Sequence, residues 1–422
     1  MTRVRQLGAF AAAVAVVSAL VIPGVLLPAT AASADSIRDR EYWLSDYGIE
    51  QAWNTTRGQG VTVAVIDSGV DGSVAELQGA VVGGADFSGS GSSNGQTPIG
   101  DDSAHGTLVA SLIAGRGTGS GSGVIGVAPE AKILSISVGF GAKANDADGQ
   151  IATAVRWAVD HGAKVINMSL TRNTLDWPTS WDDAFLYAMK KGAVVIAAAG
   201  NRGSGTDEVG APATMPGVLT VAGVDQSKNA SFDASSQGIT IGVAAPSEGL
   251  VGVGPGGQYL LWSGTSGAAP LVSGIAALVF ASHPGISADD VIQRIVSTAT
   301  PKGSPSPGPI YGHGLVDADA AVTRSVASVS TNPVGDLAEW IRLHRRAEAS
   351  PQPTSSPEPS APVTASPTTA VANRDGSAGF LPSVETWRSA GIPLAVYSGL
   401  GVSVLVVVIG AVRHFSRLRS RR

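Results

Sequence analysis

The chain contains no cysteine among its 422 residues. That absence removes disulfide frameworks, thiolate zinc sites, thiol nucleophiles and redox dithiols at one stroke. Charge is scarce too, at 14% of residues, and the formal balance of −5 offers no broad basic face of the kind that phosphate binding needs. A nucleic-acid partner is not expected. None of the six histidines is followed by Glu, which excludes the His-Glu-x-x-His zinc motif. What the chain has in quantity is apolar residues, 44%, and 54 glycines. Its length allows two or three units, or one large α/β domain with appendages.

A mean hydropathy of +0.20 is high for a soluble enzyme, and much of the excess lies at the ends. Arg3 and Arg5 precede an apolar stretch over 7–27, followed by the small-x-small sequence Ala32-Ser33-Ala34. This reads as a secretory signal peptide, with cleavage expected after Ala34. At the other end, residues 392–412 carry no charge and as a helix would span about 31 Å, a bilayer core. Arg413, Arg417, Arg419, Arg421 and Arg422 follow, and a positive cluster stays cytoplasmic. The expected localisation is therefore the cell membrane, with a single pass, an extracytoplasmic body and a cytoplasmic C-terminus. Pro351, Pro353, Pro357, Pro359, Pro362 and Pro367, spaced by Ser, Thr and Ala, form an extended tether before the anchor. Just ahead of it, Leu337, Trp340, Ile341 and His344 fall at helical spacing and predict a short helix packed on the body.

The body alternates β-branched runs with helical segments. Val61 to Ile66 is a near-continuous apolar run, the pattern of a strand buried on both faces of a parallel sheet. Similar runs cover 132–138, 164–170, 193–199 and 218–224, separated by helical patterns over 107–114, 150–161, 182–190, 268–282 and 288–298. The fold class is α/β, with a doubly wound, mostly parallel sheet and helices on both faces. In such sheets the site lies outside the carboxyl ends of the strands.

Four polar residues stand there: Asp67 after the first strand, His105 at a helix start, Asn201 after a strand and Ser266 before an apolar helix. Each alone is weak evidence, since caps and turns use the same residue types. Together they supply one chemistry. A serine hydroxyl becomes a nucleophile when an imidazole takes its proton, and a buried carboxylate holds that imidazole's tautomer. A side-chain amide and a helix-start N–H can then donate to the oxyanion, about 2.7 to 4 kcal/mol for a single donor.

The order Asp67, His105, Ser266 resembles the subtilisin family of serine proteases (peptidase S8). The resemblance rests on Val65 to Val70, His105 to Ser111, Asn167-Met168-Ser169-Leu170, Ala198-Ala199-Gly200-Asn201 and Gly264 to Pro270, and so covers essentially the whole body. It implies an endopeptidase that pairs its substrate as a β-strand between Ser137-Val138-Gly139 and Ser169-Leu170-Thr171. With the end segments read from composition and the body from this resemblance, the chain divides into 1–34 signal peptide, 35–60 N-terminal extension, 61–326 subtilisin-like peptidase domain, 327–391 Pro/Ser/Thr-rich linker, 392–412 transmembrane helix and 413–422 basic cytoplasmic tail.

The combination of signal, protease body, tether and anchor further resembles the mycosins, membrane-anchored proteases associated with type VII secretion in actinobacteria. That resemblance implies protein or peptide substrates, the membrane and type VII secretion components as partners. Its alternative is a non-catalytic, membrane-tethered scaffold component of the secretion complex. The roughly 30 residues between Ala34 and Asp67 are too few for a folded inhibitory prodomain. Two residues depart from the family pattern: Gly267 stands where a larger residue such as Met is usual, and Thr171 where glycine is usual. The first is expected to loosen the helix start by up to about 1 kcal/mol, and the second to narrow the entrance to the specificity pocket. No cofactor and no metal ligand set is expected. Asp146 with Asp148, or Asp101 with Asp102, could offer oxygens to a structural calcium, but no EF-hand spacing exists.

Overall fold

The computed structural model describes residues 37–140 and 146–345. The signal segment, the 392–412 helix, the basic tail and most of the linker lie outside the described residues. Within them, the β-branched runs form one parallel sheet. Its strands are β1 Thr62–Asp67, β2 Val81–Asp86, β3 Lys132–Ser137, β4 Val165–Met168, β5 Val194–Ala198, β6 Leu219–Val224 and β7 Ile241–Pro246. They lie in the order β2-β3-β1-β4-β5-β6-β7, and every neighbouring pair is parallel. Because β1 pairs with β3 on one side and β4 on the other, the connections diverge from it. A crevice opens at the carboxyl ends of these three strands.

The strands from β4 to β7 are buried along their whole length, as apolar runs without alternation require. Helices cover both faces. On one lie α3 His105–Ala114, α6 Thr265–Ser282 and α7 Ala288–Thr298; on the other lie α4 Ala147–Asp160 and α5 Thr179–Lys190. Among the described residues α6 alone is long and apolar enough to cross a membrane, yet 78% of it is buried inside the domain. It is the core helix, and it presents Ser266 at its start. An antiparallel hairpin, β8 Leu250–Val253 with β9 Tyr259–Trp262, stands beside that start.

The chain ends of the domain are tied down. Before β1, α1 Trp43–Asp46 and α2 Ile49–Ala52 bury Trp43 completely. Arg38 donates to the carbonyls of Ser122 and Gly123, and the Trp53 indole donates to the Val127 carbonyl at 2.8 Å. After α8 Ala318–Thr323, the Val329 N–H reaches Asp290 Oδ1 at 2.8 Å and Asn332 donates to the Gly217 carbonyl. The short helix expected from spacing is α9 Leu337–His344, with Trp340 tilted on Trp177 at 4.4 Å. Arg345 then pairs with Asp182 at 2.8 Å. The chain thus stays on the domain to residue 345, past the expected boundary at 327.

Candidate active site

Asp67 ends β1 and is 1% exposed. The Ser68 N–H holds its Oδ1 at 2.7 Å, and the carboxylate faces His105 Nδ1 with both oxygens, at 2.8 and 2.9 Å. His105 opens α3, where its own N–H donates to the Asp102 carbonyl at 3.2 Å. Burial pulls the His105 pKa down, but the charge and hydrogen bond of Asp67, together with the charge of Asp102, outweigh it. The result is a pKa above the ordinary histidine value. A fixed Nδ1 partner leaves Nε2 as the nitrogen able to take a proton.

Asn201 meets the start of α6 at Thr265, the residue before Ser266. Asn201 Oδ1 accepts from the Thr265 N–H at 2.8 Å and from Thr265 Oγ1 at 2.9 Å. Two donors on one atom identify it as the oxygen and leave Nδ2, which makes no hydrogen bond among the described residues, as a free donor. Thr265 is fully buried and also bonds the Gly200 N–H and carbonyl, bolting the helix start to the end of β5. The Ser266 N–H lies in the first turn of α6, where a backbone donor has no intrahelical partner. The Ser266 hydroxyl donates to the Ser169 carbonyl at 3.2 Å and makes no hydrogen bond to His105.

A cleft of about 580 Å³ is lined by Asp67, His105, Val138, Gly139, Phe140, Ser169, Leu170 and Thr171, together with Ile99, Asp101 and Asp102, and Ser266 and Asn201 are not among its lining residues. Five of the six residues expected to flank the substrate line it. Ser137 does not: its hydroxyl is given to Asp86 Oδ1 at 2.7 Å, and its carbonyl accepts the Phe87 N–H. Thr171 turns its hydroxyl to the Arg172 carbonyl at 3.0 Å.

Gly267 has a packing reason. A Cβ there would lie 2.2 Å from Leu250 Cδ1 and 3.4 Å from Trp262 Cη2, so the hairpin occupies the space that a larger residue would fill. Of the calcium candidates, Asp146 caps α4 by accepting from the Gly149 N–H, and Asp148 pairs with Arg172. No group of three His, Asp or Glu able to hold a metal occurs among the described residues.

Sequence reasoning did not single out Thr265, Trp262 or Ser273, and it quoted Asn167 only as the head of a motif, with no role of its own. Thr265 was within reach, since it sits between Gly264 and Ser266 in a quoted motif. Trp262 depends on a hairpin register that no local pattern announces.

Residues 58–314 match the subtilase family, peptidase S8. The chain is 39% identical over 267 residues to Subtilisin E of Bacillus subtilis (strain 168), covering 63% of this chain and 66% of that protein, just under two thirds of its length. It is also similar to the solved structure of MycP1, a serine protease described as an essential component of the type VII (ESX-1) secretion system, with a TM-score of 0.59 at 34% identity over 68% of this chain and 89% of the other. MycP3, a protease of the type VII (ESX-3) secretion system, matches with a TM-score of 0.57 at 32% identity over 67% and 88%.

Proposed function

The chain belongs to the subtilase family of serine endopeptidases, and from that premise we propose that it is a membrane-anchored, extracytoplasmic endopeptidase acting through Ser266, His105 and Asp67 in the service of a type VII secretion system. The observation that carries the catalytic reading is the His105–Asp67 pair, in which both carboxylate oxygens face Nδ1 at 2.8 and 2.9 Å. Substrate main chain enters between 138–139 and 169–171. A main-chain N–H of the substrate takes the Ser169 carbonyl in place of the Ser266 hydroxyl, and the hydroxyl turns to His105 Nε2. Ser266 Oγ attacks the scissile carbon as His105 takes the proton, and Asp67 stabilises the imidazolium. Asn201 Nδ2 and the Ser266 N–H receive the oxyanion. His105 returns the proton to the leaving amine, and water repeats the sequence in reverse to free the acyl group.

Anchoring rests on the apolar segment 392–412 with its arginine tail, and the secretion role on likeness to MycP1 and MycP3. The test is to incubate the full chain in detergent with a peptide library and a serine-reactive phosphonate, beside Ser266→Ala. Wild type should cleave peptides and take up one label, and the variant neither. A wild type that does neither overturns the enzyme reading. The scaffold reading draws on the Ser266 hydroxyl being bonded to Ser169 and not to His105; it predicts that Ser266→Ala restores secretion in a deletion strain as well as wild type does.

A further inference from the structure

Asp67 holds one atom of His105. Both carboxylate oxygens reach Nδ1, which fixes the position of that nitrogen and leaves the ring plane free to tilt about it. A second neighbour meets the ring itself. Trp262, the last residue of β9, contacts His105 edge to face, with centroids 5.9 Å apart and planes at 77°. Such T-shaped contacts are directional, so they constrain orientation as well as distance.

The same indole also meets the nucleophile's helix. Trp262 lies directly opposite Leu250 in the β8–β9 ladder, and both side chains converge on the space above Gly267. Trp262 Nε1 is buried without a hydrogen-bond partner among the described residues. A phenyl ring would avoid that unpaired donor. An indole in its place carries the penalty and gains a ring large enough to reach His105 and the helix start together.

We propose that Trp262 is a positioning residue for His105, setting the imidazole plane that Asp67 leaves free, and that Gly267 is the space this arrangement requires. The inference rests on the endopeptidase reading of the site.

Steady-state kinetics on the full chain test it with Trp262→Ala, Trp262→Phe, Gly267→Ala and the double variant Leu250→Ala/Gly267→Ala. Trp262→Ala should lower kcat by about tenfold or more with KM within about twofold, because orientation is lost and substrate contacts are not. Trp262→Phe keeps an aromatic edge and should recover most of that loss. Gly267→Ala should lower kcat, and Leu250→Ala in the same chain should restore part of it. His105 faces Asp67, Asp102 and the indole; with the indole gone, water reaches the imidazolium and the acid limb of kcat should move to higher pH. An unchanged kcat in Trp262→Ala overturns the proposal, as does a Trp262→Phe chain as slow as the Ala variant. Imidazole NMR of the labelled chain reads His105 without turnover, so it decides even if the wild type proves inactive. Trp262→Ala should displace the His105 signals and their titration, and unchanged signals overturn the proposal independently of the endopeptidase reading.

Discussion

Ser169 and Ser266 hold each other in both directions: Ser169 Oγ donates to the Ser266 carbonyl at 2.8 Å, and Ser266 Oγ donates to the Ser169 carbonyl at 3.2 Å. Behind them, Asn167 Nδ2 donates to Ser169 Oγ at 3.0 Å and Ser273 Oγ donates to Asn167 Oδ1 at 2.8 Å. This buried chain joins the end of β4, which leads into the cleft wall at Ser169, to the first three turns of α6. The wall of the cleft and the nucleophile therefore move together.

Asn167 is fully buried, and Asn167→Ala leaves Ser273 and Ser169 facing a gap. Loss of a bridging group in a buried network should cost about 2 to 3 kcal/mol, read as a lower urea midpoint. A midpoint within experimental error of wild type contradicts the network's role.

Asn201→Ala should lower kcat by roughly 10² to 10³ with little change in KM, the effect of losing one oxyanion donor. Asn201→Asp keeps an oxygen for Thr265 but has no amide to donate. It should lose as much rate while melting closer to wild type. A change confined to KM argues that Asn201 only binds substrate.

The raised His105 pKa places the acid limb of activity above the ordinary histidine value of about 6.5. Asp102→Asn removes one of the charges that raise it, so the limb should shift to lower pH in a kcat/KM profile. Stability follows the opposite sign: a raised histidine pKa contributes stability fully below the unfolded pKa, and this is lost as pH rises through the folded one. His105→Ala should therefore destabilise the protein more at pH 5 than at pH 9.

Glu41 is buried, and that burial pushes its carboxyl up to about 8, against the pull of the Ile125 N–H and Arg38. A raised carboxyl pKa contributes stability at low pH that is lost as pH climbs from the ordinary glutamate range to about 8. Glu41→Gln keeps the shape and an acceptor for Ile125 without the charge. Its melting temperature should gain on wild type between pH 5 and 9, and a constant difference across that range refutes the assignment.

Strands buried on both faces were legible as near-continuous apolar runs: β1 and β3 to β6 fall where those runs lie, with Ser135, Asn167 and Thr220 as buried polar interruptions. The edge strand β2 was not, since it is half exposed and contains Gly83-Gly84, which reads as loop. There Gly84 is required by contact, because a Cβ would lie 2.0 Å from the Ser135 carbonyl oxygen. Helix starts ran ahead of the periodic pattern. α3 begins at His105, α5 at Thr179 and α6 at Thr265, each two or three residues before the apolar repeat becomes readable. Asp67, His105, Asn201 and Ser266 could be named from motifs because each chemical role needs one residue type at a strand or helix end. Trp262 and Asn167 act through neighbours distant in sequence, and only the folded register brings those neighbours together.

The Ala318 N–H donates to the Tyr47 carbonyl at 2.9 Å, so the segment before the first strand is fastened to one that follows the core helix. Such a clasp forms only after nearly the whole domain has assembled, which makes for slow folding through distant contacts. It also means that neither end can peel away alone, and resistance to proteolysis depends on how seldom chain is exposed. In a member of an endopeptidase family, such a clasp limits the chain that a protease can reach.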